Sequence, residues 1–324
     1  GLTIIFITHK LTEVMKVADR CTVLRSGKKI ATVSIDEISD PYELATMMVG
    51  SSLNSQIHKT PMTPKAEVLK VENLSYIDEN KVERLTNISF TVREHQILGI
   101  CGVDGNGQSE LVKCVTGLLN YNEGSVSVSG KIIKNCNGKE IIKSGVSHIP
   151  EDRQKMGMVE QMTVNENLIL MCYEQPPYSR HGFINWKWIT SYNQDLCKEY
   201  DVRMAGVQAI ASTLSGGNQQ KLVVARELNR IPKLLVAMHP TRGLDIGATK
   251  SIQDRLLEER QRGAGILFVS TELDEIMALS DYILVIYSGR SMGIYPQDEV
   301  TREQLGLLMA GFDIQNSSAI QGAC

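Results

Sequence analysis

The sequence predicts an α/β protein built around a parallel sheet. From about residue 96 to 287, short apolar runs alternate with amphipathic stretches, and the run QILGIC at 96–101 leads directly into a glycine-rich loop and a helix. Strands that alternate with helices are typical of βαβ units, whose strands are parallel. Two earlier runs, VLKVENLSYI and LTNISFTV, have the alternating pattern of strands and predict an antiparallel sheet in addition.

The composition narrows the class of protein. The 324 residues carry a net charge of −3, and 42% are hydrophobic and 22% charged. These values are typical of a globular protein and give no sign of a nucleic-acid-binding surface. No apolar run approaches the roughly 18 residues that a membrane-spanning helix needs. The seven cysteines have no CxxC spacing and indicate reduced thiols in the cytosol.

The chain divides into an N-terminal part, a polar linker that contains two prolines, a long domain and a tail. The predicted bounds are 1–50, 51–65, 66–312 and 313–324. The N-terminal part is predicted to form a strand, a helix, a second strand and a short helix, at 4–8, 11–18, 21–25 and about 41–49. After its glycine loop and helix, the long domain is predicted to contain further β-structure at 124–134, a helical region at about 151–213, strands at 233–238, 265–269 and 282–287, and helices at 247–262 and 272–279.

The two ends of the chain contain similar sequences, which form an internal repeat. IIFITHKLTEVMKVAD at 4–19 matches ILFVSTELDEIMALSD at 266–281 when Gly1 is aligned with Gly263, an offset of 262 residues. A repeat that extends over strand, helix and strand indicates tandem domains. We therefore expect a piece of a longer protein whose first domain begins before Gly1. Among the positions at which the copies differ, His9 in the first is Thr271 in the second.

The glycine-rich loop GVDGNGQS at 102–109 fits the phosphate-binding pattern G-x-x-x-x-G-K-[ST], except that Gln108 stands where Lys is expected. Glycines let backbone N–H groups turn toward an anion, and the N-terminus of the following helix adds partial positive charge. In that helix Leu111, Val115 and Leu118 are predicted to share one face. The alternative is a structural turn that binds no ligand.

Two further motifs identify a family. In LSGGNQQK at 214–221, Ser215 is predicted to cap a helix, and PTRGLD follows at 240–245. With these motifs the sequence resembles the ATP-binding subunits of ABC transporters. The resemblance implies a P-loop NTPase fold of the ABC type, with a parallel core sheet, an antiparallel β subdomain and a helical subdomain.

The resemblance also implies the roles of individual residues. The nucleotide would be held by an aromatic side chain that stacks on adenine and by the glycine loop, namely by Tyr76, Gly102, Gly105, Asn106, Gly107, Gln108, Ser109 and Glu110, of which Ser109 is also a candidate Mg²⁺ ligand. The signature motif, which acts on the other domain's nucleotide, would be Leu214, Ser215, Gly216, Gly217, Asn218 and Gln219. The D-loop would be Leu244 and Asp245, the Q-loop would begin near Glu151, and His9 would be the H-loop histidine of the first domain.

Details of the motifs narrow the family. IPEDRQKMG at 149–157 and PTRGLDIGA at 240–248 resemble the tandem ATPases of bacterial sugar importers of the ribose and galactose type, and GVDGNGQSEL is closer to the nucleoside-import branch. This resemblance implies a peripheral ATPase on the cytoplasmic face of the cell membrane. Its partners would be integral-membrane permease subunits and, indirectly, an extracytoplasmic substrate-binding protein, with no nucleic acid. Its cofactors would be ATP and Mg²⁺.

The second domain departs from the family at its own site. Met238 and His239 stand where the family has an Asp that orients Mg²⁺ and a catalytic Glu. A Met thioether is no ligand for Mg²⁺, which leaves His239 as a candidate base, and Gln108 carries no charge. We therefore expect one competent site, formed by the first domain's phosphate loop and His9 and closed by the second domain's signature motif.

Two other classes of function remain open at this stage. One is a tandem ABC ATPase that acts on ribosomes or DNA, although the linker carries only Lys59 and Lys65 as charges. The other is a regulatory module that senses nucleotide without hydrolysing it. The sequence identifies neither the transported solute nor the residues that would contact a permease.

Overall fold

The structure is a computed structural model and describes residues 2–8, 11–25, 27–49, 57, 59–134 and 138–313. Residues 51–56 of the predicted linker, residues 314–324 of the predicted tail and His9 lie outside these ranges. The α-helices are α1 Leu11–Val17, α2 Pro41–Val49, α3 Gln108–Val115, α4 Gly138–Lys143, α5 Val164–Ile169, α6 Trp186–Glu199, α7 Gly216–Leu228, α8 Ile246–Arg262, α9 Leu273–Leu279 and α10 Arg302–Met309.

The strands are named in the same chain order. They are β1 Arg20–Arg25, β2 Lys28–Ser34, β3 Glu67–Ile77, β4 Glu83–Arg93, β5 Ile97–Cys101, β6 Glu123–Val128, β7 Lys131–Ile132, β8 Val146–Ile149, β9 Ser179–Arg180, β10 Phe183–Ile184, β11 Leu234–Met238, β12 Gly265–Val269, β13 Tyr282–Tyr287 and β14 Arg290–Pro296.

A six-stranded sheet forms the centre of the fold, in the spatial order β14-β13-β5-β12-β11-β8. All neighbours pair in parallel except the edge strand β14, which is antiparallel to β13. Every residue of β5, β11 and β12 is buried, as expected for a parallel sheet that is covered on both faces. The predicted α/β class with a parallel core is confirmed.

Different layers cover the two faces of this sheet. On one face an antiparallel sheet, ordered β4-β3-β6-β7, packs with α3 over Leu98 and Ile100. On the other face α7, α8 and the helical region around α6 pack over Ile97 and Cys101. The alternation along β5 therefore sends successive side chains into two separate apolar cores. No helix among the described residues has both the length and the apolar character needed to cross a membrane.

The sequence repeat is also a structural repeat. At the offset of 262 residues, α1 has the bounds of α9, β1 those of β13 and β2 those of β14. Both hairpins carry an irregularity at the same place, after Val23 and after Val285. The hydroxyl of Thr8 donates to Glu13 Oε2 at 3.1 Å, and the equivalent hydroxyl of Ser270 donates to Glu275 Oε2 at 2.9 Å. The two copies thus share side-chain contacts as well as elements.

The predicted strand at 4–8 is wrong. Residues 2–8 have no strand structure, and the side chain of Ile7 is 100% exposed, whereas its counterpart Val269 in β12 is 1% exposed. A strand is stabilised by hydrogen-bonded neighbours. β12 lies between β5 and β11, but no described strand pairs with residues 2–8.

The predicted apolar face of α3 needs a smaller correction. Leu111 and Val115 are buried, but Leu118 is 57% exposed. The helix ends at Val115, and Gly117 turns the chain with a φ of +69°. Leu118 therefore lies outside the helical periodicity that would have placed it beside Leu111.

Candidate nucleotide-binding surfaces

The glycine loop lies between β5 and α3, at the carboxyl end of a central strand. Its Gly105 and Gly107 have φ values of +87° and +105°, which favour glycine. A Cβ added to Gly107 would lie 2.7 Å from the carbonyl oxygen of Arg84, so the loop passes directly over β4. The first N–H groups of α3 have no partner within the helix and open toward the loop.

A turn that the sequence patterns did not single out supports this loop. The N–H of Ser288 donates to Asn106 Oδ1 at 2.7 Å, and the N–H of Gly289 donates to the carbonyl of Asn106 at 2.9 Å. The Asn106 amide in turn donates to the carbonyl of Val103 at 3.0 Å. The side chain of Asn106 is therefore held inside the loop by the β13–β14 turn.

Gln108 is folded into the loop as well. Its side chain is 7% exposed, and its Nε2 donates to the carbonyl of Val103 at 3.1 Å. A Cβ added to Gly102 would lie 2.4 Å from this nitrogen. The amide at the lysine position therefore makes an internal contact in the loop.

The loop opens into a cavity of about 170 Å³, which we name the loop cavity. The structure brings together here several of the predicted site residues and the residues that replace the family's acidic pair. The lining residues are Gly102, Asp104, Gly105, Gln108, Ser109, Glu151, Met238, His239, Arg242, Val269, Ser270 and Thr271.

Two acidic groups near the loop cavity, Glu151 and Glu275, are already engaged. Glu151 Oε1 accepts a hydrogen bond from Arg242 Nη1 at 2.7 Å. Glu275, behind the cavity, accepts from Thr241, Ser270 and Gln253 at 2.8, 2.9 and 3.0 Å. Burial lowers the pKa of His239 below its usual value, which favours the neutral imidazole at neutral pH.

The side chains of the loop cavity offer few ligands for Mg²⁺, with Asp104 and Ser109 among the remaining oxygen groups. Mg²⁺ prefers carboxylate oxygens together with phosphate and water, but Met238 presents a thioether where the family has an Asp, and Glu151 is paired with Arg242. Among the described residues, no group of three or more His, Cys, Asp or Glu side chains is placed to hold a metal ion. The backbone N–H groups of the loop and Ser109 remain able to hold a phosphate group.

The signature motif spans the start of helix α7, and the hydrogen bonds of its Ser215 differ from the prediction. Ser215 occupies the N-cap position without a side-chain bond to the backbone. Its hydroxyl instead accepts from Asn218 Nδ2 at 2.9 Å, and Asn218 Oδ1 accepts from the N–H of Arg203 at 2.9 Å. The predicted position of Ser215 as the N-cap is confirmed, but its side chain makes no capping bond and instead binds the Asn218 side chain. Leu214 and Gln219 are buried, and a Cβ on Gly217 would meet nothing within 4 Å.

A second cavity, of about 550 Å³, lies in front of this helix start, and we name it the signature cavity. Its lining combines the signature motif, the predicted D-loop and the first copy of the repeat, and comprises Leu24, Arg25, Met48, Asp201, Arg203, Ser215, Gly217, Asn218, Lys221, Asp245, Ile246, Gly247, Ala248 and Ser251. Asp245 also caps α8, because its Oδ1 accepts from the N–H of Ala248 at 2.8 Å.

The remaining predicted residues lie apart from both cavities or outside the described chain. Tyr76, at the end of β3, is partly buried against the apolar core, and burial raises the pKa of its phenol. Glu110 lies in the first turn of α3, and Leu244 is buried in the core on the helical side of the sheet. His9 lies outside the described residues.

The fold, the glycine loop and the signature helix together define an ATP-binding cassette. The family model for the ABC transporter matches residues 85–242. Over 314 residues the chain is 44% identical to the nucleoside import ATP-binding protein NupA of Lactococcus lactis, a match that covers 97% of this chain and 62% of that protein. The chain belongs to the family of ABC transporter ATP-binding proteins.

Other relatives and solved structures agree with this assignment. The chain is 43% identical to the guanosine import ATP-binding protein NupO of Bacillus subtilis, covering 91% of this chain and 58% of that protein. It is 40% identical to the glucose import ATP-binding protein TsgD13 of Haloferax volcanii, covering 96% and 57%. The chain thus spans about three fifths of the length of these relatives. A nucleotide-free ATP-binding cassette from an ABC transporter superposes with a TM-score of 0.60 at 26% identity, over 74% of this chain and 96% of that one.

Gln108→Lys is expected to tighten nucleotide binding to this chain without producing ATP hydrolysis. A lysine would add a charged hydrogen bond to the phosphates, which corresponds to roughly tenfold tighter binding. Met238 and His239 would remain unchanged, so Mg²⁺ and the attacking water would still lack their family ligands. Titration with a fluorescent ATP analogue measures the first effect and phosphate release the second. Unchanged affinity would contradict the assignment of the loop, and turnover would contradict the assignment of Met238 and His239.

Proposed function

We propose that this chain is part of the ATP-binding subunit of an ABC importer, which couples ATP binding and hydrolysis to the uptake of a nucleoside or a simple sugar. Residues 1–50 would be the end of a first ATPase domain, residues 51–65 a linker, 66–312 a complete second domain and 313–324 a tail. The names of the most similar relatives reported above favour a nucleoside, since NupA and NupO at 44% and 43% identity are both nucleoside importers by name.

The repeat supports two ATPase domains. They would contact each other through the glycine-loop side of the first domain and the signature side of the second. At the offset of 262 residues, Leu24 and Arg25 correspond to Ile286 and Tyr287, which directly precede the turn that supports the glycine loop of the second domain. The corresponding turn of the first domain would support that domain's own glycine loop. Leu24 and Arg25 line the signature cavity together with Ser215 and Gly217. This juxtaposition is the observation that carries the proposal of a composite site.

In this proposal the second domain supplies the closing surface of the working site. The hydroxyl of Ser215 and the free N–H groups of the first turn of α7 would face the phosphates held by the first domain. Gly217 leaves the approach to those N–H groups open. His9 would act at the same site from the first domain, and ATP with Mg²⁺ would supply the phosphoryl group that is transferred to water.

The second domain's own site would not hydrolyse ATP. Its loop cavity has Gln108, Met238 and His239 at the three positions on which the family chemistry depends. It would retain the loop N–H groups and Ser109 as the groups that contact a phosphate. The assembled protein would therefore have one site that hydrolyses ATP. Its other site would not go beyond binding a nucleotide.

The proposed subunit would lie on the cytoplasmic face of the membrane against integral-membrane permease subunits, with an extracytoplasmic substrate-binding protein on the other side. Copurification with permeases separates this function from a tandem ATPase that acts on ribosomes or DNA. ATPase activity of the full-length protein separates it from a regulatory module that only senses nucleotide. Loss of labelled nucleoside uptake, with retained sugar uptake, in cells that lack the protein would identify the solute class.

This 324-residue chain by itself is expected to have negligible ATPase activity. Its glycine loop lacks Lys, and β11 ends in Met238 before His239. Steady-state phosphate release from the purified chain is the measurement, with the full-length protein as the positive control. Turnover in the ordinary enzyme range, on the order of 1 per second or more, would contradict the proposal.

A further inference from the structure

A tightly packed segment connects the loop cavity to the signature helix. After β8, Asp152 Oδ1 accepts from the N–H groups of Gln154 and Lys155, both at 3.0 Å, and caps a π-helical turn over Arg153–Gly157. A Cβ on Gly157 would lie 3.2 Å from Val223 Cγ2. The turn therefore packs directly on α7 and has little freedom to move independently of it.

Arg153 places its guanidinium against the signature motif. A Cβ added to Gly216 would lie 2.6 Å from Arg153 Nη2, so the guanidinium covers the glycine. The buried Nε of Arg153 has no hydrogen-bond partner among the described residues. A cation at a helix N-terminus opposes the helix dipole. The contact is therefore not explained by stabilisation of α7.

The residues on either side of this contact reach the two cavities. Glu151, two residues before Arg153, lines the loop cavity, where it is paired with Arg242. Ser215 and Gly217, on either side of Gly216, line the signature cavity. An anion in the loop cavity would compete with Glu151 for Arg242, and release of Glu151 would change the position of the turn that carries Arg153.

We propose that Arg153 is a positioning residue, which transmits the state of the loop cavity to the signature helix through its contact with Gly216. The inference rests on the proposed function, because it assumes that the signature helix closes the hydrolytic site of the first domain. Arg153 itself touches no nucleotide in this arrangement. It sets the position of the first turn of α7, which does.

The test compares two substitutions that disturb the same contact from opposite sides. In the full-length protein assembled with its permease, Arg153→Ala removes the guanidinium and Gly216→Ala displaces it. Each is expected to lower kcat for ATP hydrolysis by about tenfold, with a smaller change in KM, because a small misplacement of a catalytic surface affects turnover strongly. The double variant is expected to be no slower than either single variant, since both remove one contact.

Two control variants show how much kcat changes when a side chain is removed or a methyl group is added away from the contact between Arg153 and Gly216. Lys155→Ala removes an exposed side chain from the same turn, and Gly306→Ala adds a methyl group to α10 in open space. Both are expected to retain wild-type kcat. Thermal unfolding of every variant is recorded. Arg153→Lys keeps the charge but lacks the planar group, and its kcat is expected to fall as well. It replaces Arg153→Ala if the alanine variant has a lower unfolding temperature.

The outcomes separate this inference from the proposed function. Multiplicative effects of Arg153→Ala and Gly216→Ala, or wild-type kcat in Arg153→Ala, would overturn the positioning role. Gly217→Asp serves as the reference. If Gly217→Asp hydrolyses ATP normally, the composite site itself is wrong, whereas an inactive Gly217→Asp beside a fully active Arg153→Ala refutes the positioning role alone.

Discussion

Gly217→Asp is expected to abolish ATP hydrolysis and ATP-driven uptake by the full-length protein, although Gly217 belongs to the domain whose own site is degenerate. A side chain at this position meets no atom within 4 Å, so the fold should tolerate the change. The carboxylate would enter the signature cavity, where the proposal places the γ-phosphate held by the first domain. Like charges at about 4 Å cost roughly 4 kcal/mol at an effective dielectric of 20, which is nearly three powers of ten in rate.

The matched control is Gly105→Asp in the second domain's own loop. The corresponding change at Gly107 is unsuitable, because a Cβ there would lie 2.7 Å from the carbonyl of Arg84 and would disturb packing. Gly105 has open space around it, and Asp tolerates its left-handed backbone better than most residues. Uptake and ATPase activity are compared at matched expression. Hydrolysis that is lost in Gly105→Asp but kept in Gly217→Asp would show that the working site uses the other pair of surfaces.

Asp281→Ala is expected to destabilise the chain by about 3–5 kcal/mol, because it leaves a buried arginine without its counter-charge. Arg260 is 2% exposed and donates to both carboxylate oxygens of Asp281 at 2.9 and 2.8 Å. The same carboxylate accepts from the N–H of Ile97 at 2.8 Å and pairs with Lys59 at 3.3 Å. Asp281 thus joins α8, β5 and the predicted linker.

The repeat provides the control for this prediction. Asp19 occupies the equivalent position in the first copy, where its carbonyl accepts from Ile35 as that of Asp281 does from Gln297. The Asp19 residue is exposed, so Asp19→Ala is expected to change the free energy of unfolding by less than about 1 kcal/mol. Urea unfolding of both variants makes the comparison. Equal destabilisation by the two substitutions would show that the buried ion pair with Arg260 is not the cause.

The sequence was sufficient to predict the class of fold and the type of protein. The alternation of apolar strands with helices predicted the parallel sheet, because periodicity and strand burial are properties of short segments. LSGGNQQK and PTRGLD identified the family because motifs of this kind combine glycines and caps at a fixed spacing. Of the elements predicted for the first copy of the repeat, the structure has the helix α1 and the strand β1, and β2 extends the match.

Local pattern failed at three places, where the packing or the actual hydrogen-bond partners decided the outcome. Residues 4–8 have the composition of β12, yet they form no strand, since strand structure depends on hydrogen-bonded neighbours. Ser215 is a residue type that often caps helices with its side chain, yet its hydroxyl binds Asn218 instead of the helix backbone. Leu118 continues the apolar pattern of α3, yet the chain turns at Gly117 before reaching it.

The sequence by itself thus determined the identity of the family, the order of the elements and the substitutions at Gln108, Met238 and His239. Only the tertiary structure decided that Leu24 and Arg25 line one cavity with the signature motif, and that Arg153 covers Gly216. Such contacts join residues that are far apart in the chain or lie on different elements. Their geometry depends on how whole layers pack, which no local spacing of residues encodes.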